Sequence, residues 1–424
     1  MARLRHEDCD IPARYVDYHA GLMLISAPLL YSGPLNPEGT MDIGNLPAGL
    51  PPAQSRPGGR QHLALVLQGG GALGAYQAGV YQAMHEAGME PDWVAGVSIG
   101  GINSAIIAGN PPERRVERLR EFWELVTSRQ ISLFAPDGDD ARKGHNIWSS
   151  ALTSMLGQPG FFTTRVPGPW LSPRGSQQAT SIYDNAPLRK TLHRLVDFDL
   201  INSRRTRFAV GAVNIASGNF LYFDNADSVI VPEHVMASGA LPPALPMMRI
   251  GTDWFWDGGL VSNTPLQHLL DNLGETDALV FQVDLFSARG AIPRDMPDVL
   301  ARQKDIQYSS RTRLTTDRYL ELFRLHKQIH SLMQRIPDAD LTDAELTMKR
   351  QLEKRPRVTL LLLIYQQAAY EGQSKDYDFS PTSMREHWES GYRDTQRSFR
   401  RRDWLDLPDD GDGIVVHDVH RIDD

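Results

Sequence analysis

A serine between two glycines is the first feature of the sequence that could carry chemistry. Gly96, Ser98 and Gly100 stand in the pattern G-x-S-x-G. When this pattern lies between a strand and a helix, the serine occupies a strained turn, and its hydroxyl is exposed for attack on an acyl carbon. The glycines leave room where strand and helix cross, and the helix N-terminus stabilises negative charge nearby. The pattern predicts Ser98 as a nucleophile; a turn serine without a chemical role is the alternative.

A run of glycines ahead of this serine allows three interpretations. The run consists of Gly69, Gly70 and Gly71. With Gly74 it satisfies G-x-G-x-x-G, which in a β-α-β unit indicates a dinucleotide site. That site needs an acidic residue at the end of the second strand, whereas Asp92 precedes the strand. In the second interpretation, backbone N–H groups turn toward the alkoxide that develops beside Ser98. The third is a tight turn that binds nothing.

Apolar runs of strand length precede both glycine-containing turns. Residues 63–67 lead into the glycine run, and residues 93–97 lead into Ser98. Continuous apolar runs suit strands that are covered on both faces, as in a parallel sheet. Between them, apolar residues recur at three- and four-residue steps over 73–87 and predict a helix. Strand, turn, helix and strand form a β-α-β unit, which brings both turns to the same edge of the sheet.

The remaining patterns divide the chain into four parts. Residues 1–60, rich in proline and glycine, are expected to form a flexible N-terminal segment. Residues 61–290 alternate strand and helix patterns, which is typical of an α/β domain. Residues 291–405 contain long charged helices and one strand at 358–365, and we interpret them as a largely helical extension. Residues 406–424 are expected to form an acidic tail.

Composition narrows the function classes. The net charge of −8 argues against a general affinity for nucleic acid. Cys9 is the only cysteine, so the chain can form neither an internal disulfide nor a thiolate metal cluster, and a reducing, cytoplasmic location fits best. The 13 histidines show no H-E-x-x-H spacing, and no apolar run reaches the roughly 18 residues of a membrane span. The sequence implies no metal and no organic cofactor.

Four motifs in a fixed order make the chain resemble the patatin-like phospholipases. These motifs are the glycine run from Gly69, the G-x-S-x-G around Ser98, A-S-x-x-x-P from Ala237 to Pro242, and Asp257-Gly258-Gly259. The resemblance covers about residues 62–290. The helical remainder resembles a domain of unknown function that often follows the catalytic domain in bacterial members. Leu73 stands where many members have Arg or Lys, which leaves backbone N–H groups as the expected oxyanion donors.

The resemblance implies a fold and an activity. The fold is a three-layer α/β/α sandwich with a mainly parallel sheet, followed by a largely helical C-terminal extension. The activity is hydrolysis of lipid or fatty-acyl esters, of the phospholipase A or lysophospholipase type, through an acyl-serine intermediate. An acyltransferase or thioesterase would use the same acyl-enzyme. A nucleotide-binding protein would instead use the glycine turn, and a non-catalytic relative would bind lipid without turnover.

The resemblance also implies which residues act. Asp257 takes the proton from Ser98 directly in a Ser-Asp dyad, and the loop of Gly69, Gly70 and Gly71 forms the oxyanion hole. An ordinary Asp has a pKa of about 3.9 and is a poor base, so Asp257 needs dry surroundings that raise its pKa. The aromatic residues at 254–256 are expected to supply them. A turn aspartate in a common Asp-Gly pair is the alternative.

Weaker signals concern other side chains. Phe161, Phe162 and Trp170 could cover the acyl site or touch a bilayer, although core burial is the favoured interpretation. His234 is the histidine nearest a motif and the first to test. The arginine-rich helix at 381–402 could favour an anionic membrane surface, with a solvated helix face as the equal alternative. Peripheral membrane contact is therefore an expectation, and the sequence indicates no oligomeric state.

Overall fold

The computed structural model describes residues 62–128, 142, 144, 149–150, 153–353, 356–368, 370–372, 374–409 and 413–420. All of them belong to one compact unit. The expected flexible segment at residues 1–60 lies outside the described residues.

The strands alternate with helices through most of the described chain. The strands are β1 (His62–Leu67), β2 (Trp93–Val97), β3 (Thr163–Thr164), β4 (Tyr183–Asp184), β5 (Arg207–Asn214), β6 (Phe220–Asp224), β7 (Met248–Ile250), β8 (Asp253–Asp257), β9 (Ala278–Asp284), β10 (Val358–Ile364) and β11 (Ile414–Asp418). The helices are α1 (Ala75–Glu86), α2 (Ile99–Ala108), α3 (Pro112–Thr127), α4 (Ala186–Leu195), α5 (Phe198–Asn202), α6 (Pro232–Ser238), α7 (Leu266–Asp271), α8 (Met296–Tyr308), α9 (Thr312–Met333), α10 (Asp343–Glu353) and α11 (Pro381–Phe399). None of the described helices is both long and apolar enough to cross a membrane.

Nine of the described strands form one sheet. Its order is β11-β10-β9-β1-β2-β5-β8-β7, and β6 is a further strand that pairs with β5. The neighbours from β11 to β5 run parallel, whereas the pairs β5–β6, β5–β8 and β7–β8 are antiparallel. The predicted mainly parallel sheet is thus confirmed. The predicted β-α-β unit is β1, α1 and β2, with β1 and β2 as direct neighbours.

Alternate side chains of the central strands enter two separate apolar clusters. On β1, one face contributes Leu63, Leu65 and Leu67 to the cluster that holds the side chains of α1, α2 and α3. The other face contributes Ala64 and Val66 to the cluster that holds α7. Successive strand residues point to opposite faces, so the sheet is covered on both sides. This arrangement is the predicted three-layer sandwich.

The C-terminal part of the chain continues the same sheet and the same layers. Strand β10 pairs with β9, and β11 pairs with β10. Residues 406–424, expected to form an acidic tail, therefore contain an edge strand. Helix α11 packs directly against α1. A Cβ on Gly79 would collide with the Trp388 carbonyl, and a Cβ on Gly391 would collide with the Tyr76 carbonyl. The sheet thus runs without a break across the sequence boundary expected at residue 290.

Candidate active site

Ser98 occupies a strained turn between β2 and α2. Its φ of 56° and ψ of −123° lie in a region that residues other than glycine rarely adopt. A Cβ on Gly96 would collide with the Gly100 carbonyl, and one on Gly100 would collide with the Leu67 carbonyl. Both flanking glycines are therefore fixed by the crossing of strand and helix. The local geometry places Ser98 at a helix N-terminus, as the sequence pattern predicts, and the residue is half-buried.

Ser238 holds this turn from another part of the chain. Its side chain is fully buried in α6, and its Oγ accepts a hydrogen bond from the Ser98 N–H at 2.9 Å. The Ser98 N–H is therefore already paired. The sequence analysis identified the A-S-x-x-x-P motif without giving Ser238 a role. The motif was the available signal, and the structure shows Ser238 fixing the nucleophile turn.

The glycine loop after β1 lies against Ser98 and is held by Asn263. A Cβ on Gly69 would lie 3.1 Å from the Ser98 Cβ. The Gly69 N–H donates to the Asn263 carbonyl at 3.2 Å, and the Asn263 Nδ2 donates to the Gly69 carbonyl at 3.0 Å. Within the described chain, Gly70 and Gly71 donate no backbone hydrogen bond. The Gly69 N–H is thus engaged, and no sequence pattern indicated Asn263.

Asp257 ends β8 and is almost completely buried, with 1% of its surface exposed. Its Oδ1 accepts a hydrogen bond from the Gly259 N–H at 2.7 Å, whereas the buried Oδ2 accepts none from the described residues. Burial raises the pKa of Asp257 to about 7, although the neighbouring Ser98 hydroxyl and the Gly259 N–H oppose this rise. Gly258 must be a glycine because a Cβ there would press against the Gly211 carbonyl at 2.7 Å.

The aromatic residues that line the cavity beside Asp257 differ from the ones that the sequence suggested. Trp254 is 38% exposed, and neither it nor its two aromatic successors lines the cavity beside Asp257. Tyr308 and Tyr377 do line this cavity. Burial and, after it, the charge on Asp257 raise the pKa of Tyr308. The same carboxylate contributes to the raised pKa of Tyr377, after burial and nearer groups. The expected contribution of residues 254–256 to the dry surroundings of Asp257 therefore stays a prediction.

One cavity of about 320 Å³ joins the predicted site residues. Among its lining residues are Ser98, Asp257, Gly69, Gly70, Gly71 and Gly259. Its apolar part includes Phe161, Phe162, Tyr183, Leu241, Leu245, Phe286 and Phe379. Phe161 and Phe162 are buried, as favoured, and they also line the cavity, whereas Trp170 is 86% exposed. The two turns and the aspartate thus meet beside a largely apolar space.

The C-terminal region closes one side of this cavity. We call this side the C-terminal wall; it consists of Lys304, Tyr308, Asp376, Tyr377 and Phe379. The Tyr308 carbonyl accepts hydrogen bonds from Gln68 Nε2 at 3.1 Å and from Asn263 Nδ2 at 3.0 Å. A Cβ on Gly71 would collide with the Asp376 carbonyl. The wall is therefore fixed against the glycine loop, although no sequence motif indicated it.

No histidine is among the described residues that line the cavity. His234 accepts a hydrogen bond from the Val231 N–H at 3.1 Å, stacks on Phe223, and has its pKa lowered to about 4 by burial. His268 pairs with Asp224 at 2.9 Å. The described residues also contain no group of three or more His, Cys, Asp or Glu side chains arranged to hold a metal ion.

A dinucleotide site requires an acidic residue at the end of β2, and the described chain has none there. This position is followed by Ser98, and Asp92 lies at the opposite end of the strand. There the Asp92 carboxylate accepts a hydrogen bond from the Leu63 N–H at 3.2 Å. Asp92 therefore joins the starts of β1 and β2, away from the glycine loop that follows β1.

Comparisons with known families and curated proteins gave two family matches and a short match to curated relatives. A family model described as patatin-like phospholipase matches residues 65–270. A second, described as patatin phospholipase, matches residues 306–411. Patatin-like phospholipase domain-containing protein 6 from Mus musculus and from Homo sapiens is 43% identical over 67 residues, which is 16% of this chain. The match spans only 5% of the length of these relatives.

The matches among solved structures have low identity and low TM-scores. VipD from Legionella pneumophila has a TM-score of 0.35 and 14% identity, over 81% of this chain and 68% of VipD. ExoU from the type III secretion system of Pseudomonas aeruginosa, solved with SpcU, has a TM-score of 0.28 and 16% identity, over 73% of this chain and 66% of the matched chain.

Proposed function

Because this chain belongs to the patatin-like phospholipase family, we propose that it hydrolyses carboxylic esters of lipids through an acyl-Ser98 intermediate. One observation carries the proposal: Ser98 and a buried carboxylate with a pKa of about 7 share one largely apolar cavity. A general base works best when its pKa lies near the working pH. Asp257 meets this condition, and no histidine among the described lining residues competes for the role.

The first half of the reaction forms the acyl-enzyme. Asp257 Oδ2 takes the proton from Ser98 Oγ while Oγ attacks the ester carbonyl carbon, and the carbonyl π electrons move to oxygen. Collapse of this tetrahedral species breaks the bond to the leaving alkoxide, which receives the proton from Asp257. In the second half, water repeats the attack with Asp257 as base, and the fatty acid and free Ser98 result.

Backbone N–H groups stabilise the oxyanion in both halves. Gly70 and Gly71 are the candidates on the glycine loop, because the Gly69 N–H already bonds to Asn263. Ile99, the residue after the nucleophile, supplies the donor that a nucleophile elbow normally contributes. Each such donor typically contributes about 3 kcal/mol to transition-state stabilisation. The start of α2 adds its dipole to this site.

Exposed apolar side chains beside the cavity support peripheral membrane contact. Val166, Trp170 and Leu171 are 92%, 86% and 81% exposed. Trp170 shares a shallow surface depression with Pro243, the neighbour of the cavity-lining Pro242. We propose that this loop touches the lipid surface from which substrate is taken, and that the protein acts in the cytoplasm, as its single cysteine suggests. Weaker sedimentation of Trp170→Ala with phosphatidylglycerol vesicles would support the contact; unchanged sedimentation would contradict it.

Fatty-acid release from a set of acyl lipids and acyl thioesters tests the proposed function. We expect wild type to release fatty acid from at least one glycerolipid ester in water, and Ser98→Ala to release none. Acyl transfer to an added alcohol in preference to water would favour the acyltransferase. Turnover of thioesters alone would favour the thioesterase. Equal release by wild type and a folded Ser98→Ala would contradict the assignment of the nucleophile.

A further inference from the structure

The active-site cavity holds one cationic side chain among its described lining residues, and it comes from the C-terminal wall. This residue is Lys304 on α8. The glycine loop from Gly69 to Gly74 contains no charged residue, and Leu73 within it is fully buried. Among the lining residues that the structure describes, Lys304 is therefore the source of positive charge for a bound substrate.

The Lys304 ammonium is held in a defined place. Its Nζ lies 2.5 Å from Asp376 Oδ1 and 5.2 Å from the centre of the Tyr377 ring. The helix that carries Lys304 ends at Tyr308, whose carbonyl is bonded to Gln68 and Asn263. Because Asn263 also bonds to Gly69, one set of hydrogen bonds connects the helix of Lys304 to the oxyanion loop.

The cavity lining combines two kinds of chemical group. Phenylalanine, leucine and tyrosine side chains make up most of its lining, and the Lys304–Asp376 ion pair is its cationic contact. A glycerophospholipid has the same division, with an acyl chain on one side of the scissile ester and a phosphate on the other. Lysine is a common ligand of phosphate and binds it as a compact point charge. Neutral acylglycerols offer such a cation hydroxyl and carbonyl oxygens but no anionic group.

Asp376 keeps the ammonium paired until substrate arrives. Burial raises the pKa of Asp376, although Lys304 opposes the rise. The carboxylate is therefore poorly solvated. A substrate phosphate can bind the same ammonium beside Asp376, because a lysine ammonium has three N–H donors.

We propose that Lys304 is a specificity-determining residue that binds the phosphate of a glycerophospholipid while Ser98 attacks the acyl ester. This proposal rests on the proposed function, since it names the substrate class of the same site. It also gives the C-terminal region a direct part in substrate choice.

The test compares a monoacylglycerol with the same monoacylglycerol carrying a phosphoglycerol group. These are 1-palmitoyl-lysophosphatidylglycerol and 1-palmitoylglycerol, and the readout is the ratio of their kcat/KM values. We expect Lys304→Gln to lower this ratio about tenfold, as expected for the loss of a charge-assisted contact. Arg313→Gln is the matched control, because Arg313 lies on α9 with 92% of its side chain exposed; its ratio should stay within about twofold of wild type.

A double variant separates recognition from structure. Lys304→Gln alone leaves Asp376 buried without its cation, so the protein could lose stability. Lys304→Gln with Asp376→Asn removes both charges, and we expect this folded variant to keep the lowered ratio. A double variant that regains the wild-type ratio would mean that Lys304 only neutralises Asp376, and would overturn the proposal.

Three further results would overturn the proposal, and they differ in whether they also contradict the proposed hydrolase function. Wild type that prefers palmitoylglycerol, with Ser98-dependent turnover, would leave the hydrolase intact but exclude phosphate recognition. No turnover of either lipid would remove the proposed function as well. An unchanged ratio in Lys304→Gln, combined with Lys304-dependent inhibition by inorganic phosphate, would assign the residue to free phosphate rather than to a lipid headgroup.

Discussion

The two sides of the active-site cavity are encoded in different ways. The glycine loop, the nucleophile turn and Asp257 lie in short motifs, because strand-helix crossings allow only glycine at positions such as Gly96 and Gly100. The C-terminal wall has no motif. Its residues reach the cavity through hydrogen bonds to a main-chain carbonyl and through an ordinary ion pair. The comparison teaches that the reacting groups are specified locally, whereas the surface that surrounds the substrate is specified by tertiary packing.

The motif side should show the largest effects on turnover. We expect Asp257→Asn to lower hydrolysis of a short-chain nitrophenyl ester nearly as much as Ser98→Ala, by roughly a thousandfold or more. The carboxamide keeps the shape and loses the base. Alanine at His234, His268, His326, His330, His387, His417 or His420 should each cost less than about tenfold.

Circular dichroism of each variant controls for unfolding in this comparison. The pairs His268–Asp224 and His387–Glu371 are packed into the structure. Removing either histidine is therefore expected to lower the stability of the fold rather than the turnover. A folded histidine variant that is inactive, beside an active Asp257→Asn, would contradict the dyad.

Substitution of Gly71, where the glycine loop meets the C-terminal wall, should have the next largest effect on turnover. Gly71 has a φ of +56° and faces the Asp376 carbonyl, whereas Gly88 has a φ of +70° with open space around it. Alanine at either position costs about 1–2 kcal/mol for the left-handed backbone. In addition to this cost in stability, we expect Gly71→Ala to lower kcat/KM about tenfold, because the added Cβ forces the glycine loop away from the C-terminal wall. Gly88→Ala should keep wild-type activity, and equal losses in both variants would contradict a functional junction.

Much of the fold and the reacting groups could be predicted from the sequence. The apolar runs at 63–67 and 93–97 specified neighbouring parallel strands, and the glycines marked the turns. Ser238, Asn263 and Lys304 could not be found in this way. Ser238 and Ser98 are 140 positions apart, and Asn263 and Gly69 are 194 apart. Contacts over such distances depend on how helices and strands pack, which periodicity does not record.

The titration of Asp257 gives a smaller and graded effect. The reaction needs the carboxylate, so kcat/KM should fall by about tenfold per pH unit below a midpoint near pH 7, the pKa that burial gives Asp257. A pH profile of nitrophenyl ester hydrolysis measures it. A midpoint near the ordinary aspartate value of about 4 would contradict a buried base.

Stability should change with pH in the opposite sense. Because the pKa of Asp257 is higher in the folded than in the unfolded chain, the folded state holds more protons between about pH 4 and pH 7. The free energy of unfolding therefore declines as pH rises through this window. Asp257→Asn, which cannot ionise, should unfold at higher denaturant concentration than wild type at pH 8, with a smaller difference at pH 4. A variant less stable than wild type at pH 8 would contradict a destabilising buried charge.

Removal of the N-terminal segment, which belongs to neither side of the cavity, is expected to have the smallest effect on activity. A chain beginning near Arg60 should keep activity within about twofold of wild type, since the proline- and glycine-rich segment is not expected to contribute to the core. Ester hydrolysis and soluble yield measure this. Loss of folded protein would show that residues 1–60 take part in the structure or in assembly.

The most direct test of the account is to locate the nucleophile chemically. Ser98 attacks phosphorus of a fluorophosphonate, releases fluoride and keeps the adduct, which peptide mass spectrometry assigns to one residue. We predict a single adduct on Ser98 in wild type, none in Ser98→Ala, and slow labelling in Asp257→Asn. An adduct on another serine, or a folded Asp257→Asn that labels as fast as wild type, would contradict a Ser98–Asp257 dyad.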